Sequence, residues 1–283
     1  MANTIDRAFV EQFKSNVIHL AEQQGSRLRS TVTEQSVSGE KFHFERVGNV
    51  AAIQKTTRHT DTPVLDVPHS RRTGDMNDYQ WADLVDAEDQ IRMLIDPKSA
   101  YAKAGVNAMG HVWDDIIIGA ATGSASDGTG ASIALPSSQK IAVGSTGLTV
   151  AKLLNTREIL EASDVDPDEE RFMVVSAAQI TDLLSTTEVT SADYNTVKAL
   201  AAGQIDTFMG FKFIRSQRLD LATGTRSCIA YTKSALGLGV GADVKTDISV
   251  RNDKSLATQV YLAFTAGGTR IQDEGVVQVD CAE

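Results

Sequence analysis

Ile5, Phe9, Phe13 and Val17 recur every four residues, and Leu20 and Ala21 continue the stripe. This spacing predicts an amphipathic helix over 4–24. Asn3 supplies its N-cap, Asp6 an acidic first turn and Gly25 a stop. The pattern then becomes polar from Ser26 to Gly39, which reads as an extended arm. Residues 41–47, Lys-Phe-His-Phe-Glu-Arg-Val, alternate apolar and polar. That alternation predicts a half-buried strand with Phe42 and Phe44 on one face. Val47 falls on the other face, where the strand ends or bulges. Between 54 and 77 only Val64, Leu65, Val67 and Met76 interrupt polar residues, and Asp78 to Val85 again reads as extended. A polar excursion longer than about 15 residues is rare in a compact domain unless it carries a function.

Asp96-Pro97 opens the next helix as cap and first residue. Tyr101, Ala104, Ala108, Met109, Val112, Trp113, Ile116 and Ile117 keep helical spacing, so one continuous helix should run to Gly119 or just beyond. Its Ala104/Ala108/Val112 side is expected against strands of the C-terminal tail. Residues 122–147 are rich in Gly, Ser and Thr and read as loop with one short hairpin. From Thr149 the texture is α/β. A helix to Ala162 precedes an acidic turn from Asp164 to Glu170, a buried strand from Arg171 to Ser176, and a short helix from Ala177 to Leu184. A helix around Tyr194 to Ala202 leads to strands at Met209–Ser216 and Ser227–Thr232, and the tail from Asp243 to Val279 reads as two or three strands.

Composition narrows the function. The chain has 283 residues, 42% of them hydrophobic, enough for a packed core. Its net charge of −10 argues against a dedicated nucleic-acid reader. The charge is uneven. Residues 1–72 hold ten Lys/Arg and eight Asp/Glu, a net of +2, so the remaining 17 and 29 give 73–283 a net of −12. The two parts could attract each other within or between chains. Cys228 and Cys281 form no close-spaced motif and read as reduced thiols of a protein made in a cytoplasm. No apolar run reaches the ~20 residues of a membrane span, and residues 1–30 lack the layout of a signal peptide.

Catalytic signatures are missing. There is no phosphate-binding Gly-Lys-Ser/Thr, no His-Glu-x-x-His and no Gly-x-Ser-x-Gly. Gly237-Leu-Gly-Val-Gly241 lacks the helix and further glycine of a dinucleotide loop and reads as a turn or a close backbone approach. His111, Asp114 and Asp115 share a helix face that could hold a metal or simply be solvated. Gly123 to Gly130 lacks the alternating oxygen ligands of a calcium loop.

The order of the parts is informative: amphipathic arm, two-stranded polar excursion, long capped helix, compact α/β portion, closing strands. This order resembles the Hong Kong 97-like fold of tailed-phage and herpesvirus capsid proteins. The segment Phe172–Leu184 followed by Met209–Leu219 is similar to the strand, short helix and Gly-Phe-x-Val strand of the axial domain in many phage capsid proteins. The resemblance implies an α+β fold. Its parts are an N-terminal arm at 1–38, an extended loop at 39–85, a peripheral domain at 86–148 and 243–283 with a spine helix at about 96–119, and an axial domain at 149–242. It implies a structural major capsid protein, not an enzyme, without metal or cofactor. Hexamers and pentamers would close an icosahedral shell around phage double-stranded DNA. The setting is the virion, with assembly in the host cytoplasm. Without a long charged N-terminal extension, a separate scaffolding protein is implied, alongside the portal. An encapsulin-like nanocompartment shell and a soluble α/β enzyme remain as alternatives.

The expected assembly contacts are the arm anchors Phe9 and Phe13, the basic loop residues Lys55, Arg58, Arg71 and Arg72, and the acidic residues Asp83, Asp86, Glu88 and Asp89 just beyond. A basic loop tip lying over the acidic segment of the next copy would make a head-to-tail contact that closes by symmetry.

Overall fold

The computed structural model describes residues 23–48, 50–58, 61, 64–86, 97–163, 165–185 and 207–283, with the backbone alone for 97–101. The amphipathic stretch before Gln23 and the helix expected around Tyr194 lie outside these residues. The fold is mixed α and β, as the alternation of periods along the chain demands. Three α-helices are described: α1 (Pro97–Thr122), α2 (Val150–Ala162) and α3 (Ala177–Ser185). The strands are β1 (Thr33–Ser36), β2 (Lys41–Val47), β3 (His69–Asp75), β4 (Asn77–Val85), β5 (Ala125–Asp127), β6 (Ser132–Ile133) and β7 (Lys140–Ile141). They continue as β8 (Arg171–Val175), β9 (Thr207–Phe208), β10 (Phe211–Arg215), β11 (Leu221–Ala222), β12 (Thr225–Thr232), β13 (Leu236–Arg251), β14 (Ala257–Arg270) and β15 (Val276–Ala282). Three sheets result, in the orders β1-β13-β14-β4, β7-β15-β12-β8-β10-β9 with β11 beside β12, and β2-β3-β5-β6.

The chain divides into two compact units. The first takes 78–111 and 242–264, with the approach to Ser26; the second takes 27–77, 112–241 and 265–283. Helix α1 and strands β13 and β14 are long enough to contribute residues to both.

In the first unit, β14 buries Val260, Leu262 and Phe264 at period two, and Tyr79 of β4 stacks on Phe264 at 5.1 Å. The chain enters along α1. The backbone of Gly25 lies so close to Gly110 that any side chain at Gly110 would collide with it. His111 Nε2 donates to the carbonyl of Gln23 at 3.0 Å in the same place.

In the second unit the largest sheet is the core. All five residues of β8 are buried, flanked by parallel β10 and antiparallel β12. Helix α2 starts at Thr149, whose hydroxyl accepts the Lys152 N–H, and buries Leu153, Thr156 and Leu160. Lys152 is itself buried, and its ammonium donates to the carbonyls of Val143, Thr146 and Asp280 at 2.8–2.9 Å. All three of its donors are thereby satisfied. Arg226 grips the Glu283 carboxylate with two hydrogen bonds, 2.5 and 3.0 Å. Cys228 and Cys281 are buried free thiols that hydrogen-bond each other, and this contact together with burial pushes the Cys228 thiol well up.

Helix α1 is continuous, as its periodicity requires. Its buried face runs Gly105, Met109, Trp113, Ile117, Ala121, one position round from the Ala104/Ala108/Val112 side expected. Bulk explains the shift, because this stripe carries the large Met109, Trp113 and Ile117 side chains. The partner is the expected one: Leu262 of β14 meets α1 at Gly105, and Ile116 and Ala120 press on Gly268.

Candidate assembly interface

β2 and β3 pair antiparallel from Lys41 opposite Asp75 to Val47 opposite His69, forming a two-stranded ribbon. A last backbone bond, Gly48 N–H to Pro68 carbonyl at 2.8 Å, closes it. Beyond that point the described residues form neither strand nor helix. Val50, Ile53, Val64, Leu65 and Val67 all lie exposed there, Val64 to 89% and Ile53 to 59%. Lys55 and Arg58 are exposed on the same segment. A single exposed aliphatic is ordinary, but five large ones are exposed among the described residues of this segment.

The ribbon is held to its own body in two ways. First, Phe42 is buried, and its ring lies on the backbone of Gly239 and Gly74, while Phe44 lies on Gly237. A side chain at Gly237 or Gly239 would occupy the space of these rings. The two rings meet edge to face at 5.8 Å. The Gly-x-Gly-x-Gly segment is therefore a strand that seats two aromatics, the close-approach reading of that motif.

Second, a buried ionic cluster ties β3 down. Arg270, fully buried, donates from Nε to Asp273 Oδ1 at 2.6 Å and to the carbonyls of Ala121, Gly123 and Ile133. Arg72 donates from Nη2 to the other oxygen, Asp273 Oδ2, at 2.5 Å. One carboxylate thus joins the ribbon to the end of α1, to β6 and to the turn before β15.

Arg72 therefore departs from the expectation that it stands on an exposed basic tip. It is 4% exposed, and its Nη2 is paired with Asp273 of its own chain. Strand alternation explains the split, because its neighbour Arg71 points outward and pairs with Glu45 of β2 at 2.6 Å. Of the acidic set, Asp86 is exposed and Asp83 half-buried in the first unit, where Asp83 Oδ1 accepts the Leu84 N–H. Phe9, Phe13, Glu88 and Asp89 lie outside the described residues.

The three polar residues on α1 also part company. Asp114 is buried and accepts the N–H groups of Arg27 and Leu28 at 3.1 Å each. Asp115 makes a two-pronged ion pair with Arg218, which raises the Arg218 pKa further. His111 serves the Gln23 carbonyl. Their side chains serve three separate partners, and among the described residues no group of three or more His, Cys, Asp or Glu converges as a metal site. Among the same residues no helix is long and apolar enough to cross a membrane.

Among the described residues, then, the ribbon is anchored at its base and Val50, Ile53, Val64, Leu65 and Val67 are exposed beyond it. The model of the phage capsid protein family matches residues 5–283, and the chain belongs to that family. It is a structural capsid protein. Its fold is shared with the capsid of Cyanophage P-SCSP1u, with a TM-score of 0.77 at 16% identity, covering 100% of this chain and 96% of that one. The Mycobacterium phage Che8 structure gives 0.72 at 17% identity, covering 96% and 97%. The capsid of a native GTA particle gives 0.68 at 12% identity, covering the whole of both chains. No curated protein matches the chain.

Proposed function

We propose that this chain is the repeated subunit of an icosahedral head shell, in which hexamers and pentamers enclose phage double-stranded DNA. The observation that carries this reading is the exposed aliphatic end of an otherwise anchored ribbon. Alone, such a segment exposes apolar surface and gains nothing for it. In a shell it covers the next copy, as part of contacts that each reach the ~1,600 Å² of a standard interface.

In this reading 1–38 is an arm that reaches neighbouring subunits through Phe9 and Phe13, and 39–85 is the extended loop. Residues 86–148 with 243–283 form the peripheral domain, and 149–242 the axial domain. Lys55, Arg58 and Arg71 steer the loop toward Asp83, Asp86, Glu88 and Asp89 of the next copy. Exposed pairs of this kind contribute about 0–1 kcal/mol each, so they set direction and register while the aliphatics supply contact area. A separate scaffolding protein and a portal complete assembly in the host cytoplasm. DNA is enclosed without sequence-specific binding, consistent with a net charge of −10. The protein has no enzymatic role and uses no cofactor.

The test is Val64→Asp with Leu65→Asp. The double variant should fold with an unchanged circular dichroism spectrum and yield at least about tenfold fewer shells by negative-stain microscopy. A ΔΔG of about 1.4 kcal/mol per contact already gives that factor. Wild-type shell yield would refute the loop's role.

A further inference from the structure

The cluster Arg72, Asp273 and Arg270 does more than the burial of a strand requires. β3 already pairs with β2 along its length, and with β5 at Arg72–Asp127 and Thr73–Ser126. The β3–β5 ladder is only two residue pairs long, so it is a weak guide to the direction in which the ribbon leaves the body. The Phe42 and Phe44 rings seated on Gly239 and Gly237 hold the ribbon by apolar contact, and among its other polar links are a 3.2 Å bond from Thr269 Oγ1 to the Thr73 carbonyl and a loose 3.9 Å pair between Arg46 and Glu274. Arg72 differs from all of these. Its guanidinium is buried, charged, and aimed at one oxygen of a carboxylate whose other oxygen is held by the immobile Arg270. Arg270 in turn is fixed by three backbone carbonyls.

Burying such a cluster is a poor way to gain stability, since well-packed apolar residues often do as well or better. What a planar guanidinium on a fixed carboxylate supplies is direction. We infer that Arg72 and Asp273 form an orientation lock that fixes the angle at which the loop 48–68 leaves the body, so that every copy presents its aliphatic end in the same place. The inference rests on the reading above that this loop docks on a neighbouring copy. Arg72 is then a positioning residue for assembly and not part of the contact itself.

The discriminating variant is Arg72→Met. It removes the link while Arg270 and Asp273 stay paired, leaving a neutral buried pair in place of a cluster of net charge +1. Spin labels go on exposed Val64→Cys and Glu158→Cys; the native thiols, Cys228 and Cys281, are buried. In the unassembled full chain the wild type should give one narrow label-to-label distance distribution. Arg72→Met should keep its circular dichroism spectrum and melt at most about 10 °C lower. Its distribution should broaden at least about twofold, and its yield of regular shells should fall about tenfold. Arg72→Lys, which keeps the charge but replaces the rigid guanidinium with a flexible ammonium, should restore stability more fully than it restores the narrow distribution. A distribution as narrow as the wild type's in Arg72→Met overturns the lock. Broadening with normal shells upholds the lock and instead overturns the docking of the loop. Hydrogen exchange on the wild-type chain needs no variant. Amides of β3 at Arg72 and Thr73 should be protected like those of β8, and exchange there as fast as at 64–67 also overturns the lock.

Discussion

Reversing charge at two adjacent arginines should have very different consequences. Arg72 is 4% exposed and lies against Asp273, itself 9% exposed. In Arg72→Glu the cluster changes from two cations around one carboxylate to two carboxylates around Arg270. A hydrogen bond to a charged group is lost, and a new carboxylate is buried without a partner. Breaking a buried pair in this way costs about 3–5 kcal/mol. Arg71 is 49% exposed at its side chain and faces Glu45 at 61%, so water screens the change in Arg71→Glu. That reversal should cost about 1 kcal/mol or less. Against a typical total of about 5–15 kcal/mol, the first variant loses a large share of its stability and the second very little. Urea denaturation followed by tryptophan fluorescence reads both, through the shift in midpoint. If Arg72→Glu unfolds within about 1 kcal/mol of the wild type, Arg72 is not held in a buried ion pair and the reasoning fails.

Trp113, 2% exposed on α1 beneath the Arg29 guanidinium at 4.6 Å, should cost about 3–5 kcal/mol when replaced by Ala, read by the same denaturation experiment. Acid should destabilise the chain in a defined direction. Arg226 holds the Glu283 carboxyl below its ordinary 4.5, and Arg157 with Arg171 does the same for Glu161. A carboxyl lowered on folding contributes stability that is present above about pH 4.5 and lost as pH falls through the folded value. The melting temperature should therefore decline below pH 4.5, and Glu283→Gln should make that decline shallower; an identical slope would exclude this pair as a source of acid sensitivity.

Much of the architecture was legible along the chain because it is local. The spacing from Tyr101 to Ile117, with Pro97 at the start, required one long helix. A continuous apolar run marked β8 as a buried strand, and Ser227–Thr232 was legible as a strand. The polar stretch marked the loop but not its ribbon: β2 pairs with β3 inside that stretch, whereas the second alternating segment, β4, joins the sheet of β14. The helix read from Thr149 to Ala162 is α2, and the structure makes Thr149 its N-cap. The order of these parts alone resembles the capsid fold.

What could not be read is the fate of individual charges and glycines, because burial is decided by residues hundreds of positions apart. Nothing local distinguishes Arg71 from Arg72, yet strand pairing turns one to solvent and the other toward Asp273, 201 positions away. Asp114 looked like one of three polar residues on a helix face, but the incoming chain at Arg27 and Leu28 buries it as a cap for two backbone N–H groups. Lys152 sat unremarked in an amphipathic helix until three carbonyls from Val143, Thr146 and Asp280 closed around it. Gly237 and Gly239 resembled a weak ligand loop, and only the Phe42 and Phe44 rings show why no side chain fits there. Periodicity reports which face of an element is apolar, a property of neighbouring residues. Whether a polar group is buried depends on the partner that the tertiary fold brings to it, since only a satisfied charge can stay out of water.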